Sequence, residues 1–315
     1  MSGQGNLAPR PLDWRVGVAI APATIHASAA DVVPRTLPPQ HRRRQRMRTT
    51  TSHALLIAFA IAFMAPMVFV ILSSLMTNDQ VLSADFWPRP FQWSNYPSVW
   101  HTIPLGLYAW NTVQIAVMST VGIVVSSIPV AYALARMRWK GRQVVFVIVL
   151  STLMLPYQVT VVPLYVWFSK IHWIPSFKPL IVPNFLGDAF SIFLLRQFFM
   201  SVPEDLADAA RVDGASHWQI MTRIMVPLSK AAIAAIALFN FLYNWNDFFA
   251  PLLFVGDNPK LFTLAIGLDA FRGQHHVEYN LIMAASVMFM IPVVVLFFLA
   301  QRVFIEGVTL TGSKE

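Results

Sequence analysis

"SVPEDLADAARVDGASHW", residues 201–218, is a polar, acid-bearing segment set between apolar runs, in a 315-residue chain that is 56% hydrophobic and 12% charged. Ser201 followed by Glu204 makes a capping-box pattern with Pro203 in the first turn, so a helix is expected to start there. Leu206, Ala209, Ala210 and Val212 give that helix a small-residue face, and Asp205, Asp208 and Arg211 are left for solvent or a partner. Asp213-Gly214 is turn chemistry, with a glycine suited to the left-handed conformation that ends a helix. Ser216 and Gln219 form a second capping box for a helix over 217–225 that carries Trp218, Ile220, Met221 and Ile224. Pro227 marks its junction with the next apolar run. The segment reads as helix, tight turn, helix, held at a membrane surface.

The flanking sequence says why a membrane. A mean hydropathy of +0.57 with 24 Phe and 10 Trp is more apolar surface than one soluble core of this size buries. A span needs roughly 20 mostly apolar residues, and such runs fall at 53–75, 108–135, 144–168, 179–200, 228–249 and 280–303. The expectation is an all-α polytopic protein with six transmembrane helices, the third and fourth interrupted by Pro156, Pro163, Pro179 and Pro183. Residues 51–315 form this transmembrane domain. Residues 1–50, rich in Pro, Ala and Arg, are expected to be a disordered cytoplasmic extension, and Met47, at the head of "MRTTTSHALLIAFAIAFMAP", is a second possible start.

Basic residues set the orientation. With both termini and the 136–143 and 201–227 loops in the cytoplasm, Arg89, Lys170, Lys178, Lys260 and Arg272 are the basic residues left outside. The net charge of +8 is then a topology signal, and nucleic-acid binding is a poor reading of it. A DNA-reading helix-turn-helix is also a poor fit to residues 201–218, because this segment is tethered to membrane at both ends. The chain has no cysteine, which excludes disulfides and thiol chemistry. In the first outer loop, residues 75–100, Trp87, Trp93, Tyr96 and Trp100 suit a membrane–water interface or a docking surface for an external protein.

"LADAARVDGASHWQIMTRIMVPL" (206–228) resembles the EAA loop of ABC-transporter permease subunits, with Ala209, Ala210, Asp213, Gly214, Ala215 and Pro227 matching and Asp208 in place of the usual Glu. "FLLRQFFMSVP", "YNWNDFFAPLLF" and "QRVFIEGVTLTG" are similar to the carbohydrate-uptake, maltose-type branch of that family, a likeness that covers about residues 53–312. The resemblance implies a type I importer permease fold in a bacterial or archaeal cell membrane. It implies a second permease subunit of different sequence, an ATPase homodimer and an external substrate-binding protein that delivers a carbohydrate. The ATPase contact would be carried by Glu204, Asp208, Ala209, Ala210, Asp213, Gly214 and Ala215. The chain has no G-x-x-x-x-G-K-[ST], so it is not itself expected to be an enzyme or to bind a cofactor; ATP and Mg belong to the partner ATPase.

Polar residues inside apolar runs are the candidates for the substrate path. Asn240, Asn244 and Asp247, four and three apart, share a helical stripe flanked by Tyr243 and Trp245. Their amide and carboxylate groups suit sugar hydroxyls, and equally suit hydrogen bonds between helices. Asp188 sits mid-depth in the fourth run with Asn184 and Ser191 on its face, and Tyr157, Gln158 and Thr160 lie beside the Pro156 and Pro163 breaks. His275-His276 has no third residue spaced to complete a metal site. The alternative class is an ion-coupled secondary transporter or channel in which Asp188 and Asp247 carry protons or ions, which leaves 201–227 without a task.

Overall fold

The computed structural model describes residues 39–83, 86–272 and 277–311, so residues 1–38 of the expected extension and His275-His276 lie outside the described residues. The chain divides into two units, Met1–Ile61 and Ala62–Glu315, and every candidate site residue lies in the second. Among the described residues there are helices and turns, one isolated bridge between Arg272 and Val277, and no strand.

Helix α1, Pro39–Ser73, begins before the boundary placed at residue 50 and leaves its apolar side chains uncovered, Phe63 being 80% exposed. Hydrocarbon in place of water makes such a surface stable. Helix α2, Leu105–Arg136, packs along several later helices. Its buried positions include Ala116, Ser119, Gly122, Ser127 and Ala131, small residues that let neighbouring backbones approach closely, which is what drives helix association where no water is expelled. Polar side chains on α2 pin distant loops. Asn111 donates to the carbonyls of Lys260 and Phe262 at 2.9 Å each, Thr112 Oγ1 accepts from the Leu264 amide at 2.9 Å, and Ser119 donates to Leu180 at 3.0 Å.

Among the described residues four helical stretches are long and apolar enough to cross a membrane: Thr49–Ser73, Leu105–Arg136, Lys178–Ser201 and Tyr279–Gln301. The expected third and fifth spans are bent pairs. Helices α3, Arg142–Thr152, and α4, Tyr157–Lys170, meet at 92°. The break falls at Pro156, which lacks an N–H and pushes its predecessor out of helical conformation. The count reaches six if each bent pair is one span.

The fourth expected span, at Lys178–Ser201, is not a continuous helix either. A 3₁₀ turn over Val182–Leu186 gives way at Gly187, whose φ of +92° a side chain would resist, and helix α5, Ala189–Ser201, starts afresh with Asp188 as its N-cap. Helix α6 is Glu204–Val212, helix α7 is His217–Leu228, and helix α8, Lys230–Asn246, leaves α7 at 78°. Helix α9, Phe249–Val255, and helix α10, Tyr279–Thr311, follow. One buried cluster joins Tyr132 and Leu134 of α2, Leu195 and Phe199 of α5, Ala207, Met221 and Met225 of the elbow, and Ile236 of α8.

In the loop over residues 75–100, Trp87, Trp93 and Trp100 are exposed. Tyr96 differs: its hydroxyl shares a hydrogen bond with Ser74 at 2.8 Å and its ring packs against a buried cluster.

Candidate coupling elbow and polar cavity

The elbow is built from its end caps. The capping box expected of Ser201 and Glu204 does not form, because Ser201 is still the last residue of α5 and its hydroxyl turns back to the Phe198 carbonyl at 2.7 Å. Pro203 is the N-cap of α6, with φ −54° and ψ 137°. The chain's own cation closes α5 instead. Arg136 donates through Nε to the Phe199 carbonyl at 2.9 Å and through Nη2 to the Val202 carbonyl, placing positive charge on the C-terminal end of that helix. Glu204 is held by an exposed pair to Arg138 at 3.4 Å, of the kind worth little in water.

The turn after α6 follows its sequence closely. Gly214 sits at φ +80°, its amide donates to Arg211 at 3.0 Å, and the Ala215 amide donates to Ala210 at 2.9 Å, the paired bonds of a Schellman ending. The capping box of Ser216 and Gln219 is complete, at 2.8 Å and 3.3 Å. His217 Nδ1 lies 3.2 Å from the Tyr132 hydroxyl, which fastens the start of α7 to α2. The expected helix over 217–225 contains a π turn at Met221–Met225, an insertion of one residue per turn into the α pattern.

Of the residues assigned to a partner contact, Glu204, Asp208, Ala209, Asp213 and Gly214 are exposed. Ala210 and Ala215 face inward and pack on the buried cluster with Ala207, which the sequence reading did not single out. The small side chains that face inward are therefore Ala207 and Ala210, which pack in the cluster that also holds residues of α2 and α5. The outward face is mixed: Leu206 at 47%, Val212 at 88% and Trp218 at 67% exposure stand among the acids. Asp208 pairs with Arg211 one turn on.

A cavity of about 490 Å³ brings Asp188, Asn240, Tyr243 and Asn244 together with Asn184, and Phe190 and Phe239 form part of its wall. Asp188 caps α5 through Oδ2, which accepts from the Ser191 amide and hydroxyl at 2.8 Å each. Asn240 donates to the same Ser191 hydroxyl at 3.1 Å, so the break at Gly187 and the middle of α8 are joined by one polar chain. Periodicity placed Asn240 and Asn244 on one face; it did not show the Gly187 break that brings Asp188 to them.

The other candidates lie elsewhere. Asp247 is not on the stripe, since α8 ends at Asn246 and Asp247 takes extended backbone with its carboxylate accepting from the Ala250 amide at 3.2 Å. Tyr157 packs edge-on against Phe249 with ring centres 6.3 Å apart, and Gln158 is exposed on α4; neither lines the cavity. Among the described residues no group of three His, Asp or Glu is placed to hold a metal.

Membrane-length helices around a polar cavity, with a capped two-helix elbow fixed to the same core, define a transport subunit. Residues 127–309 match the family described as binding-protein-dependent transport system inner membrane component. The chain is 30% identical over 256 residues to the diacetylchitobiose uptake system permease protein NgcG of Streptomyces coelicolor, a match covering 80% of this chain and 84% of that one. It is 33% identical over 266 residues to the sn-glycerol-3-phosphate transport system permease protein UgpE of Pectobacterium atrosepticum, covering 81% and 94%. Its fold is similar to a chain in the crystal structure of a bacterial ABC transporter involved in the import of the acidic polysaccharide alginate, with TM-score 0.70, 24% identity, and coverage of 82% of this chain and 97% of that one. The chain belongs to the binding-protein-dependent transport system inner membrane component family.

Proposed function

We propose that this chain is one of two permease subunits of an ATP-driven carbohydrate importer, that α6 docks into a cytoplasmic ATPase, and that the cavity between α5 and α8 belongs to the substrate path. Both termini lie in the cytoplasm, ATP and Mg stay on the ATPase, and an external binding protein delivers the sugar. The diacetylchitobiose in the name of the Streptomyces coelicolor relative supports the substrate class.

The observation that carries the coupling role is the two-sidedness of α6. Its inner face, at Ala207 and Ala210, is locked into a cluster that includes Ile192 and Ile236. Ile192 is next to Ser191, the residue that bonds Asp188, and the Ile236 carbonyl accepts from Asn240 at 2.9 Å. Its outer face leaves apolar Leu206 and Val212 uncovered beside Asp208. A rigid helix with an uncovered mixed face and a packed inner face transmits displacement from a partner to the cavity. An ion-coupled carrier has no use for such an elbow.

The test is co-purification of the ATPase with Asp208→Lys and Val212→Lys variants, together with hydrolysis in reconstituted membranes. Both substitutions fall on the outer face, so the variants should reach the membrane folded and lose ATPase association or substrate-stimulated hydrolysis along with uptake. Normal association with normal stimulated hydrolysis in both would end the coupling role.

A further inference from the structure

We infer that the cavity between α5 and α8 is selective for neutral, hydroxyl-rich sugars and turns away cargo that bears a phosphate or carboxylate. This deepens the reading above and rests on the cavity being part of the substrate path.

The orientation of three amides is fixed by their hydrogen bonds. Asn184 donates to the Leu180 carbonyl at 2.7 Å, Asn240 to the Ile236 carbonyl at 2.9 Å, and Asn244 to the Asn240 carbonyl at 2.7 Å. A backbone carbonyl accepts and never donates, so in each case the amino end must face the preceding turn of its own chain. Asn240 also gives a second N–H to Ser191 Oγ, which exhausts its donors. Asn240 is left with only its carbonyl oxygen for a ligand, while Asn184 and Asn244 each keep a carbonyl oxygen and one N–H. Asp188 adds to this: Oδ2 takes both bonds from Ser191, and Oδ1 has no partner among the described residues. Tyr243 supplies a hydroxyl that donates or accepts.

Among the described residues the polar lining has more free acceptors than free donors, carries one carboxylate, and includes no Lys, Arg or His. A sugar hydroxyl both donates to the free oxygens of this lining, which outnumber its free N–H groups, and accepts from those N–H groups. A phosphate or uronate brings acceptors and negative charge to a place that has both already, within a membrane protein where the dielectric does little to screen them. The aromatic wall favours the same ligand. Phe190 and Phe239 meet with ring centres 6.4 Å apart and offer apolar faces to the C–H side of a sugar ring. A metal cation is a poorer occupant, because Asp188 is a single carboxylate already committed as a helix cap.

The absence of cysteine from this chain allows a direct measurement of the charge preference. A lone thiol is introduced by Asn244→Cys in the assembled transporter in native membranes. It is then treated with a cationic or an anionic methanethiosulfonate of similar size, and adducts are read by the mass of this chain. Tyr243→Cys serves as the second position, since that side chain is exposed and its loss disturbs no hydrogen bond in the described residues. Rates are divided by those of the same reagents with 2-mercaptoethanol in solution. The expected result is a preference for the cationic reagent about tenfold above the solution ratio, reduced when Asp188→Asn is added. Asparagine keeps an oxygen to accept from Ser191 while removing the charge. Reaction at the solution ratio, or a preference for the anionic reagent, would overturn the selectivity and leave the path reading standing. If neither reagent reacts at either position in folded transporter, the cavity is closed to water and both readings fall.

Discussion

Arg136 and Arg196 tie the same two helices in opposite directions. Arg136 at the end of α2 donates to the Phe199 carbonyl of α5 at 2.9 Å, and Arg196 of α5 donates back to the Leu134 carbonyl of α2 at 3.2 Å. Arg196 also lays its guanidinium 3.9 Å from the centre of the Phe146 ring on α3. The bends in the chain leave helix ends inside the packed region, and the two guanidinium groups bring their donors to those carbonyls.

Arg136→Gln should therefore loosen the elbow without touching its outward face. A hydrogen bond from a charged group contributes roughly 1.5–3 kcal/mol, and a loss of that order should appear as a lower midpoint of thermal unfolding in detergent. Arg136→Lys should recover only part of it, since an ammonium cannot span the Phe199 and Val202 carbonyls with one planar fork. Full recovery with lysine would mean that charge alone matters there.

Gly214 gives a test that separates backbone strain from crowding. A Cβ at this position would meet no atom within 4 Å, so the φ of +80° is the whole obstacle to substitution. Gly214→Val should cost about 1–3 kcal/mol and misdirect α7, with loss of uptake, whereas Gly214→Asn, which tolerates the left-handed region, should stay close to the parent. Equal damage from both would point to a direct contact at Gly214 with the partner.

Ser216 caps α7 through the amide of Gln219 at 3.3 Å. Ser216→Ala should destabilise the elbow by ~1 kcal/mol, and Ser216→Asp should restore it by capping the same amide. The check is proteolytic nicking at 212–216 in membranes, which should increase for alanine and return to normal for aspartate. No change with alanine would mean that packing on Tyr132 and Ile220 holds the start of α7 unaided.

Reporter fusions after residues 100 and 270 should read as external, and fusions after 140 and 212 as cytoplasmic, if the basic residues around 136–142 mark the inner face. The 92° bend between α3 and α4 makes the stretch 153–156 the most informative place to fuse next. If each bent pair crosses as one span, the map holds six crossings. A reporter after 170 that reads as cytoplasmic would make α3 and α4 a re-entrant pair.

Much of the elbow was legible beforehand because its signals are local. Gly214, Ser216 and Gln219 act on groups within a few residues of themselves, so the turn and the second cap followed from their identity. Ser201 misled because its hydroxyl had two neighbours to choose from. It capped nothing ahead of it once α5 ran to its own position. Asp247 misled for a related reason: a constant helical period was carried one residue past the point where α8 stops.

The sequence by itself determined that this is a helical membrane protein, where its apolar stretches lie, and that residues 204–228 form a two-helix elbow with a tight turn at Gly214 and a capped second helix, since hydropathy, turn chemistry and capping are properties of short windows. Tertiary structure decided which face of α6 is buried, that Arg136 rather than Ser201 closes the end of α5, and that Asp188 meets Asn240 through Ser191. These depend on residues some 50 to 60 positions apart in the chain, whose separation in space is set by the breaks at Pro156 and Gly187 and by the close packing of small residues along α2. No window of sequence contains that information, because the partner that satisfies each buried polar group is chosen by packing.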